Sequence, residues 1–367
     1  MEKHTVTIEK LTFGGDGLAR TGGLTVFVPY SAPDDTLKIR LTKKKKNYAF
    51  AHIIEVISPS PARREAPCPY FGVCGGCQWQ HIVYSQQAAA KKHIVLETME
   101  RIAGFAPKVR GTVESEKEFS YRNRVTLHSE GNRLGFYKQK SREIIEIDKC
   151  LLITEELNKR LNQTRERGLL KKREVALSID DDMSSGFTQV NRSINTKIRA
   201  EIKQIISAID SPRVLDLFCG NGNLTKDLAE TAGEIQGWDS SPESIAAAND
   251  WANRNSHCNY FQGNAEEALK TEFYNKADIL ILDPPRAGAK ELSQKLRSGF
   301  QKIIYLSCDP ANLARDIKAL TEKGYTLEYL QPYDMFPQTY HIETLAVLNK
   351  SYLKERNAIL QEKSTTG

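Results

Sequence analysis

Residues 301–310 read Q-K-I-I-Y-L-S-C-D-P, and this stretch decides the fold of the second half of the chain. Residues 303–306 form a short apolar run rich in β-branched and aromatic residues, which is typical of a strand buried on both faces of a parallel sheet. Pro310 ends the strand because it has no backbone N–H group to donate. Ligands of α/β sheets bind at the carboxyl ends of the strands. Cys308 is therefore a candidate nucleophile, although a cysteine at such a place can also be an inert buried thiol.

Six more segments after residue 212 have strand character, and apolar residues at helical spacing lie between several of them. The predicted strands are residues 213–218, 235–238, 260–261, 277–282, 325–330 and 342–348. Helices are predicted around Ile194, Ile198, Ile202 and Ile206, and around Leu313, Ile317 and Leu320. The alternation of strands with helices predicts an α/β domain with a mainly parallel sheet.

Three of these strands end in residues suited to ligand binding. Gly220 and Gly222 follow the first strand, where they allow a sharp turn and the close approach of a ligand to the backbone. Asp239 follows about twenty residues later, where nucleoside-binding α/β folds place a carboxylate on the ribose hydroxyls. Asp283 begins D-P-P-R at the end of another strand. The third glycine of a dinucleotide fingerprint and the lysine of a triphosphate loop are both missing, and each acid alone could instead cap a helix.

The composition describes a globular protein of more than one domain. The chain has 367 residues, with a hydrophobic share of 40% and a charged share of 27%. It begins without an apolar signal region, and no apolar run approaches the ~20 residues that span a bilayer, so we expect a cytoplasmic protein without a membrane partner. Basic residues concentrate before residue 175, which predicts a polyanionic partner for the first half.

Residues 1–61 contain short strands separated by glycine turns. The predicted strands are residues 5–11, 24–30, 36–42 and 48–57, a pattern that indicates a small closed β-barrel. The run Lys43, Lys44, Lys45 and Lys46 is either a solvated hairpin tip or a phosphate-binding patch. Tyr48 and Phe50 beside it could stack on bases.

Four cysteines lie in the following segment, residues 62–188. Cys68, Cys74 and Cys77 form C-x5-C-G-G-C, and Cys150 follows later. In a reducing compartment, cysteines indicate ligands, nucleophiles or core thiols rather than disulfides. Four thiolates at one site require a cation because they would otherwise repel one another. The spacing alone does not choose between structural zinc and an iron–sulfur cluster.

The same segment contains a predicted helix over residues 84–103 and strands over residues 119–128 and 134–147. The strands are strongly basic, and aromatic side chains alternate with the basic ones. The basic residues are Arg122, Arg124, Arg133, Lys138, Lys140 and Arg142, and the aromatic ones are Tyr121, Phe136 and Tyr137. This pattern fits either a solvated charged face or a surface that contacts RNA.

Glu343 opens the last predicted strand, ahead of a buried apolar run. A glutamate at such a place is expected to be paired with a base or to have a function. A serine-hydrolase mechanism is not supported, because no G-x-S-x-G elbow occurs.

Several of these motifs resemble those of the RNA uracil-5-methyltransferases. They are A-P-C-P-Y-F-G-V-C-G-G-C-Q-W-Q-H at residues 66–81, F-x-Q-V-N at 187–191, D-L-F-C-G-N-G-N at 216–223, L-S-C-D-P at 306–310 and D-M-F-P-Q-T-x-H-I-E-T at 334–344. The first segment also looks like a TRAM domain, an OB-like RNA-binding module. The resemblance extends from about residue 3 to residue 350 and departs at Asp309, where Asn is more usual.

The resemblance implies four parts of the chain. They are a TRAM/OB-like barrel at 1–61, a β-rich iron–sulfur and RNA-contacting domain at 62–188, a Rossmann-like α/β S-adenosylmethionine methyltransferase domain at 189–350, and a tail at 351–367. It further implies that Cys68, Cys74, Cys77 and Cys150 hold a 4Fe-4S cluster. The implied cofactor contacts are Gln189, Phe218, Gly220, Asn223, Asp239, Asn264 and Asp283.

The resemblance also implies the reaction, which is methyl transfer to C5 of a uridine. The Cys308 thiolate would add to C6, and Glu343 would remove the C5 proton. Arg286 after D-P-P disfavours an RNA cytosine-5 enzyme, which has a cysteine there. The expected substrate is 23S rRNA, with the tRNA T-loop as the alternative, and we expect a monomer. A non-catalytic RNA-binding scaffold is the alternative of a different class.

Overall fold

The computed structural model of the protein describes residues 2–131, 133–167, 174–179 and 189–351. The strands in these ranges form three sheets of six, four and seven strands. Phe187 and Thr188 of the F-x-Q-V-N motif lie outside the described residues, and so does the tail after residue 351.

The first sheet rolls up on itself. Its strands are β1 (Lys3–Thr7), β2 (Lys10–Leu11), β3 (Gly17–Thr21), β4 (Leu24–Val28), β5 (Thr36–Lys44) and β6 (Tyr48–Ser58), paired in the order β1-β5-β6-β4-β3-β2. β1 and β2 lie at opposite ends of this order, yet only Ile8 and Glu9 separate them in the chain. The N–H of Glu9 donates to the carbonyl oxygen of Leu18 in β3 at 2.7 Å. One bent strand therefore pairs with β5 on one side and with β3 on the other.

Helix α1 (Tyr84–Ala103) follows the cysteine-rich segment and spans the predicted residues. Its apolar side chains Ile94, Val95 and Met99 are buried. Gly104 ends the helix in the left-handed conformation, with φ of 85°, and its N–H donates to the carbonyl of Met99.

The second sheet is antiparallel throughout. It contains β7 (Arg124–Glu130), β8 (Arg133–Tyr137), β9 (Ile144–Glu146) and β10 (Glu174–Ser178) in the order β10-β7-β8-β9, with helix α2 (Glu155–Glu166) between β9 and β10 in the chain. The single strand predicted over residues 134–147 is wrong, because a turn over residues 138–143 divides it. In that turn the N–H of Lys138 donates to the carbonyl of Glu143 at 2.8 Å.

The third sheet belongs to an α/β domain. Its elements are α3 (Arg192–Ile206), β11 (Arg213–Leu217), β12 (Glu234–Asp239), α4 (Pro242–Ala252), β13 (Cys258–Gln262), α5 (Ala265–Ala268), α6 (Glu272–Lys276), β14 (Ile279–Leu282), α7 (Lys290–Lys295), β15 (Lys302–Ser307), α8 (Pro310–Glu322), β16 (Tyr325–Tyr333) and β17 (Glu343–Lys350). The strand order is β13-β12-β11-β14-β15-β17-β16. The first five of these are parallel, whereas β17 is antiparallel to both β15 and β16.

Both faces of this sheet are covered, which explains the continuous apolar runs of its central strands. In β14, Leu280 and Leu282 belong to one core cluster and Ile279 and Ile281 to the other. Helices α1 and α8 contribute to the first cluster, and helices α3 and α4 contribute to the second. Helix α1, from the first half of the chain, thus closes one face of the α/β domain.

The glycine-rich turn at 219–224, after β11, does not open an α-helix. It leads instead into turns and a short 3-10 helix, Lys226–Leu228. Gly220 and Gly222 both adopt positive φ, 53° and 78°, which an α-helix does not contain. Among the described residues, none of the helices is both long and apolar enough to cross a bilayer.

Candidate active site

A cavity of about 1020 Å³ lies at the carboxyl ends of β11, β12, β14 and β15. Phe218, Asp239, Asp283 and Cys308, one from each strand end, line it. β11 pairs with both β12 and β14, so the strand order reverses beside it. Parallel α/β sheets bind their ligands at such a switch point.

The antiparallel direction of β17 brings Glu343 to the same cavity. Ser307 pairs with Thr344 at the end of the β15–β17 ladder. Cys308 follows Ser307 and Glu343 precedes Thr344, so the two residues lie just beyond the end of this ladder, at the edge where the parallel strands end. Both line the cavity. A thiol and a carboxyl that lie 35 positions apart in the sequence are thereby brought to one place.

Glu343 and Asp283 are two of the cavity's carboxyl groups with raised pKa values. Burial, and then the nearby Asp283, raise the pKa of Glu343 to about 8, while Arg286 opposes the shift. Burial, and then Asp239, raise the pKa of Asp283 to about 7. A cation bound in the cavity would favour the ionised form of both groups. The cavity is therefore suited to a positively charged ligand.

The thiol of Cys308 is partly buried and stays protonated near neutral pH. Burial, and then Glu343, raise its pKa to about 11, and Arg286 acts in the opposite direction. A thiolate is the nucleophilic form of cysteine. Additional positive charge near the sulfur is therefore needed before Cys308 can attack.

Asp309, the residue after this thiol, is the N-cap of α8. Its carboxylate accepts hydrogen bonds from the backbone N–H groups of Ala311 at 3.0 Å and Asn312 at 2.9 Å. Asn and Asp serve almost equally well as N-caps. The departure from the more usual Asn thus leaves the cap in place.

The loop after β11 is held by the end of β12. The N–H groups of Phe218 and Cys219 donate to the carbonyl of Trp238 at 2.9 and 3.2 Å, and the N–H of Gly220 donates to Oδ2 of Asp239 at 2.9 Å. Phe218 has a positive φ of 66°, which is unusual for a bulky residue. Backbone strain of this kind is often found at functional sites.

Gly220 and Gly222 differ in the space around the position that a Cβ atom would occupy. A Cβ atom on Gly222 would lie 2.9 Å from the hydroxyl oxygen of Tyr260, so the position admits only glycine. A Cβ on Gly220 would meet no atom within 4 Å, and this residue lines the cavity. A ligand can therefore approach the backbone of Gly220 closely.

Asp216 also lines the cavity, although the sequence does not single it out. It is fully buried, and Thr225 Oγ1 donates to its Oδ2 at 3.1 Å. Its Oδ1 has no hydrogen-bond partner within the described part of the chain. Burial raises the pKa of this carboxyl well above its ordinary value. The only sign of Asp216 in the sequence is its place as the first residue of the D-L-F-C-G motif.

The remaining predicted cofactor contacts separate into two groups. Gln189 and Asn223 line the cavity, and the side-chain amide of Asn223 exchanges hydrogen bonds with Asn195 at 2.9 and 3.0 Å. Asn264 is not among the lining residues. Its Oδ1 instead accepts the N–H of Glu267 at 3.0 Å as the N-cap of α5.

The four cysteines predicted as ligands surround a second cavity, of about 250 Å³. Cys68, Cys74, Cys77 and Cys150 all line it, and all four are free thiols. Burial raises the pKa of Cys74 to about 11, and it also raises the pKa values of Cys77 and Cys150. Across residues 2–131, 133–167, 174–179 and 189–351, no three Cys, His, Asp or Glu side chains are arranged to hold a metal ion.

The two cavities are adjacent. Gly76 and Arg122 line both of them. The guanidinium of Arg122 lies 6.0 Å from the ring centre of Phe336, another residue of the larger cavity. Arg124 also lines the larger cavity. The cysteine segment therefore forms part of the wall of the candidate active site, which the sequence does not reveal.

The other predicted RNA contacts lie away from this cavity's lining. Lys43, Lys44, Lys45 and Lys46, at the end of β5 and after it, are exposed. Arg133 donates to the carbonyl of Ile144 at 2.5 Å, and Lys138 pairs with Glu143 at 3.2 Å. Both therefore have local partners within the second sheet.

Two family models match the chain. Residues 165–351 match the model described as tRNA (Uracil-5-)-methyltransferase, and residues 2–54 match the TRAM domain. An uncharacterized RNA methyltransferase of Aquifex aeolicus (strain VF5) is 33% identical, over 94% of this chain and 97% of that protein. The 23S rRNA (uracil(1939)-C(5))-methyltransferase RlmD of Shewanella baltica (strain OS195) is 30% identical, over 94% and 95%.

A solved structure has a similar fold. It is the Pyrococcus abyssi tRNA (uracil-54, C5)-methyltransferase in complex with S-adenosyl-L-homocysteine, with a TM-score of 0.70 and 23% sequence identity. The similarity covers 94% of this chain and 100% of that one. The fold of the chain is thus that of a Rossmann-like methyltransferase with additional N-terminal parts.

Proposed function

The chain belongs to the tRNA (uracil-5-)-methyltransferase family of S-adenosylmethionine-dependent RNA methyltransferases, and from this premise we propose that it methylates C5 of a uridine in 23S rRNA through a covalent Cys308 adduct. The observation that supports the mechanism is that Cys308 and Glu343, brought together by the pairing of β15 with β17, line the same cavity as the residues of the cofactor motifs. The RlmD relative, which matches almost the whole chain, supports 23S rRNA as the substrate.

The proposed cofactor contacts line a single cavity, which supports their assignment. They are Gln189, Phe218, Gly220, Asn223, Asp239 and Asp283. S-adenosylmethionine supplies the methyl group and a positive sulfonium charge. The raised pKa values of Asp283 and Glu343 fit a cavity that accepts this charge, since a cation stabilises both carboxylates. Asn264, predicted as an adenosine contact, would have to act from outside the lining residues.

Cys308 and Glu343 have complementary tasks in the proposed reaction. C5 of uracil is too weak a nucleophile to take a methyl group unaided. The thiolate of Cys308 adds to C6, which makes C5 an enolate-like carbon, and the methyl group is transferred to C5. Glu343 then removes the C5 proton, the C5–C6 double bond re-forms and the thiolate leaves. Arg286 lowers the pKa of Cys308 and so assists the first step.

We further propose that the four cysteines hold a 4Fe-4S cluster with a structural or RNA-organising role. The support is that all four thiols line one cavity of about 250 Å³. The cysteine spacing fits zinc as well as a cluster, and the likeness of residues 66–81 to the family's cluster motif favours the cluster. Gly76 beside Cys77 belongs to both cavities, so a cluster here would also shape the active site.

The first half of the chain would supply the energy for RNA binding. The rolled first sheet is proposed to act as an OB-like module, with Lys43, Lys44, Lys45 and Lys46 contacting phosphates. Arg122 and Arg124, at the cavity, would contact the target nucleotide and its neighbours. Removing a uridine from its stack costs a few kcal/mol, which these contacts would return. We propose that the protein acts as a monomer.

Trapping with 5-fluorouridine tests the proposal, because a fluorine at C5 prevents the final proton removal. A 23S rRNA transcript and a tRNA transcript, each containing 5-fluorouridine, are incubated with the protein and S-adenosylmethionine. We expect a denaturation-resistant adduct with the 23S transcript, and none with the Cys308→Ala variant. An adduct with the tRNA transcript alone would show that the substrate is tRNA and not 23S rRNA. The absence of both an adduct and methyl transfer would favour the non-catalytic scaffold.

A further inference from the structure

Gln338 is a fully buried residue with a strained backbone in the loop between β16 and β17. None of its surface is exposed, and its φ of 69° places it in the left-handed region. A side chain with a Cβ atom adopts this conformation only where its surroundings enforce it. The contacts of Gln338 show what enforces it.

The first set of contacts joins Gln338 to helix α1. The backbone N–H of Gln338 donates to Oε1 of Gln87 at 3.0 Å. In return, Nε2 of Gln87 donates to Oε1 of Gln338 at 2.9 Å. Two neighbours complete the side-chain bonds, because Arg64 donates to the same Oε1 at 3.1 Å and Nε2 of Gln338 donates to Glu118 at 3.2 Å.

The second set joins Gln338 to the cysteine segment. Its carbonyl oxygen accepts the N–H groups of Gln78 at 3.1 Å and Trp79 at 3.0 Å. These are the two residues after Cys77. Two backbone hydrogen bonds therefore link the residues directly after Cys77 to the loop before β17.

The loop continues from Gln338 directly into the candidate active site. The hydroxyl of Thr339 donates to the carbonyl of Phe336 at 2.8 Å and accepts the N–H of His341 at 3.3 Å. Nδ1 of His341 lies 3.2 Å from Nη2 of Arg286. Thr339, His341 and Glu343 all line the cavity.

We propose that Gln338 is a positioning residue that couples the cysteine segment to Glu343. The inference rests on the proposed function, in which Glu343 is the base. Cys308 lies directly after β15 and not on this loop, so we expect attack on C6 to be less sensitive to a displaced loop than the step that needs Glu343. Removal of the C5 proton does not, because Glu343 must reach that proton. Loosening Gln338 should therefore let the covalent intermediate form and slow its resolution.

The test compares two buried glutamines. Gln338→Ala removes the three side-chain hydrogen bonds that hold the backbone of this residue in place for its bonds to Gln78 and Trp79. Gln331→Ala is the matched control. Gln331, on β16, is 5% exposed and donates to the carbonyls of Gly111 and Pro332, without contact to the cysteine segment in the described structure. The readouts are kcat, KM for RNA, and the fraction of enzyme bound to unmodified RNA on a denaturing gel during turnover.

For Gln338→Ala we expect a loss in kcat of about tenfold or more, with KM for RNA changed less than about threefold. The denaturation-resistant complex should accumulate, as it should for Glu343→Gln. Gln331→Ala should lower the Tm without accumulating the complex. Normal turnover by Gln338→Ala, or slower turnover without the complex, would overturn the inference.

Hydrogen exchange supplies a readout that does not depend on activity. We expect faster amide exchange over residues 335–343 in Gln338→Ala and also in Cys77→Ser, and unchanged exchange there in Gln331→Ala. If Gln338→Ala does not fold, Gln87→Ala is used in its place. It removes the two hydrogen bonds between Gln87 and Gln338 by a change in helix α1, and the same increase in amide exchange is expected. Unchanged exchange in both Gln338→Ala and Cys77→Ser would refute the coupling.

Failure of the inference differs from failure of the proposed function. If the wild-type protein forms no adduct with 5-fluorouridine RNA, the covalent mechanism is wrong. If the wild type forms the adduct and Gln338→Ala resolves its complex at the wild-type rate, only the role of Gln338 is wrong.

Discussion

Oδ1 of Asp309 lies 2.9 Å from the backbone nitrogen of Asn312, so the residue beside the candidate nucleophile serves the start of helix α8. A carboxylate at this end of a helix is also favoured by the helix dipole. The chemical neighbourhood of Cys308 is instead set by Glu343 and Arg286, which come from other strand ends.

The first prediction concerns this cap. Asp309→Asn should retain activity within about twofold and stability within a few tenths of a kcal/mol, because Asn accepts the same bonds. Asp309→Ala should lose about 1 kcal/mol of unfolding free energy. Urea denaturation and steady-state kinetics measure both. A large loss of kcat in Asp309→Asn at unchanged stability would show that the charge acts on the reaction.

The second prediction concerns the pH dependence of stability. The pKa of Glu343 is about 8 in the folded protein and near 4.3 in an unfolded chain. Between these values the unfolded state loses its proton first, so this carboxyl makes the fold less stable as pH rises. The Tm of Glu343→Gln relative to wild type should therefore increase between pH 5 and pH 9, while turnover is lost. A Tm difference that does not change with pH would contradict the raised pKa.

A third prediction concerns the activation of the thiol. Arg286 lowers the pKa of Cys308, so Arg286→Gln should reduce the rate of Cys308 alkylation by iodoacetamide at pH 8.5 about three- to tenfold. Arg286→Lys, which keeps the charge, is the matched control. Mass spectrometry of the peptide that contains Cys308 separates its alkylation from that of the other six cysteines. Equal rates in the two variants would exclude an electrostatic effect of Arg286.

The fourth prediction concerns a buried ion pair that fixes the loop before β17. Nζ of Lys91 lies 2.5 Å from Oδ1 of Asp334 and 3.2 Å from the carbonyl of Phe336, and both charged side chains are fully buried. Lys91→Met leaves the carboxylate without its partner and should cost about 3–5 kcal/mol of unfolding free energy. Lys91→Met combined with Asp334→Leu should recover part of this loss. A single variant that loses less than about 1 kcal/mol would show that the carboxylate finds another partner or a proton.

The fifth prediction concerns the cysteine cavity. Protein purified without oxygen should contain iron and acid-labile sulfide, and Cys77→Ser should lose both. Cys258→Ser is the control, because Cys258 is a buried thiol of the α/β domain that does not line the cavity. Zinc without sulfide in the wild-type protein would refute the cluster.

Elements with strong periodicity could be predicted from the sequence. Helix α1 has the predicted bounds, and the four isoleucines of α3 are all fully buried. Strand β3 and helix α2 were missed. The glycines before β3 indicate only a turn, and α2 is so polar that its buried residues Leu157 and Leu161 show little pattern. Local sequence also gives no sign of the turn between β8 and β9.

The strand-end rule predicts much of the candidate site, whereas Gln189 and Asn223 follow only from the family motifs. Asp239, Asp283 and Cys308 meet because parallel strands end at one edge of the sheet. Asn264 follows a strand too, but β13 lies at the edge of the sheet and the residue caps a helix instead. The roles of Arg122 and Gln338 depend on contacts between distant segments, which no local pattern encodes.

The place of β17 in the sheet has a consequence for biosynthesis. Among the strands that the structure describes this one is made last, yet it lies between β15 and β16. Until it leaves the ribosome, both neighbours present unpaired edges that can join other chains. A nascent chain therefore carries the proposed nucleophile before it has the proposed base. If those roles are right, translation that stops short of residue 343 would yield an inactive product that is prone to aggregate.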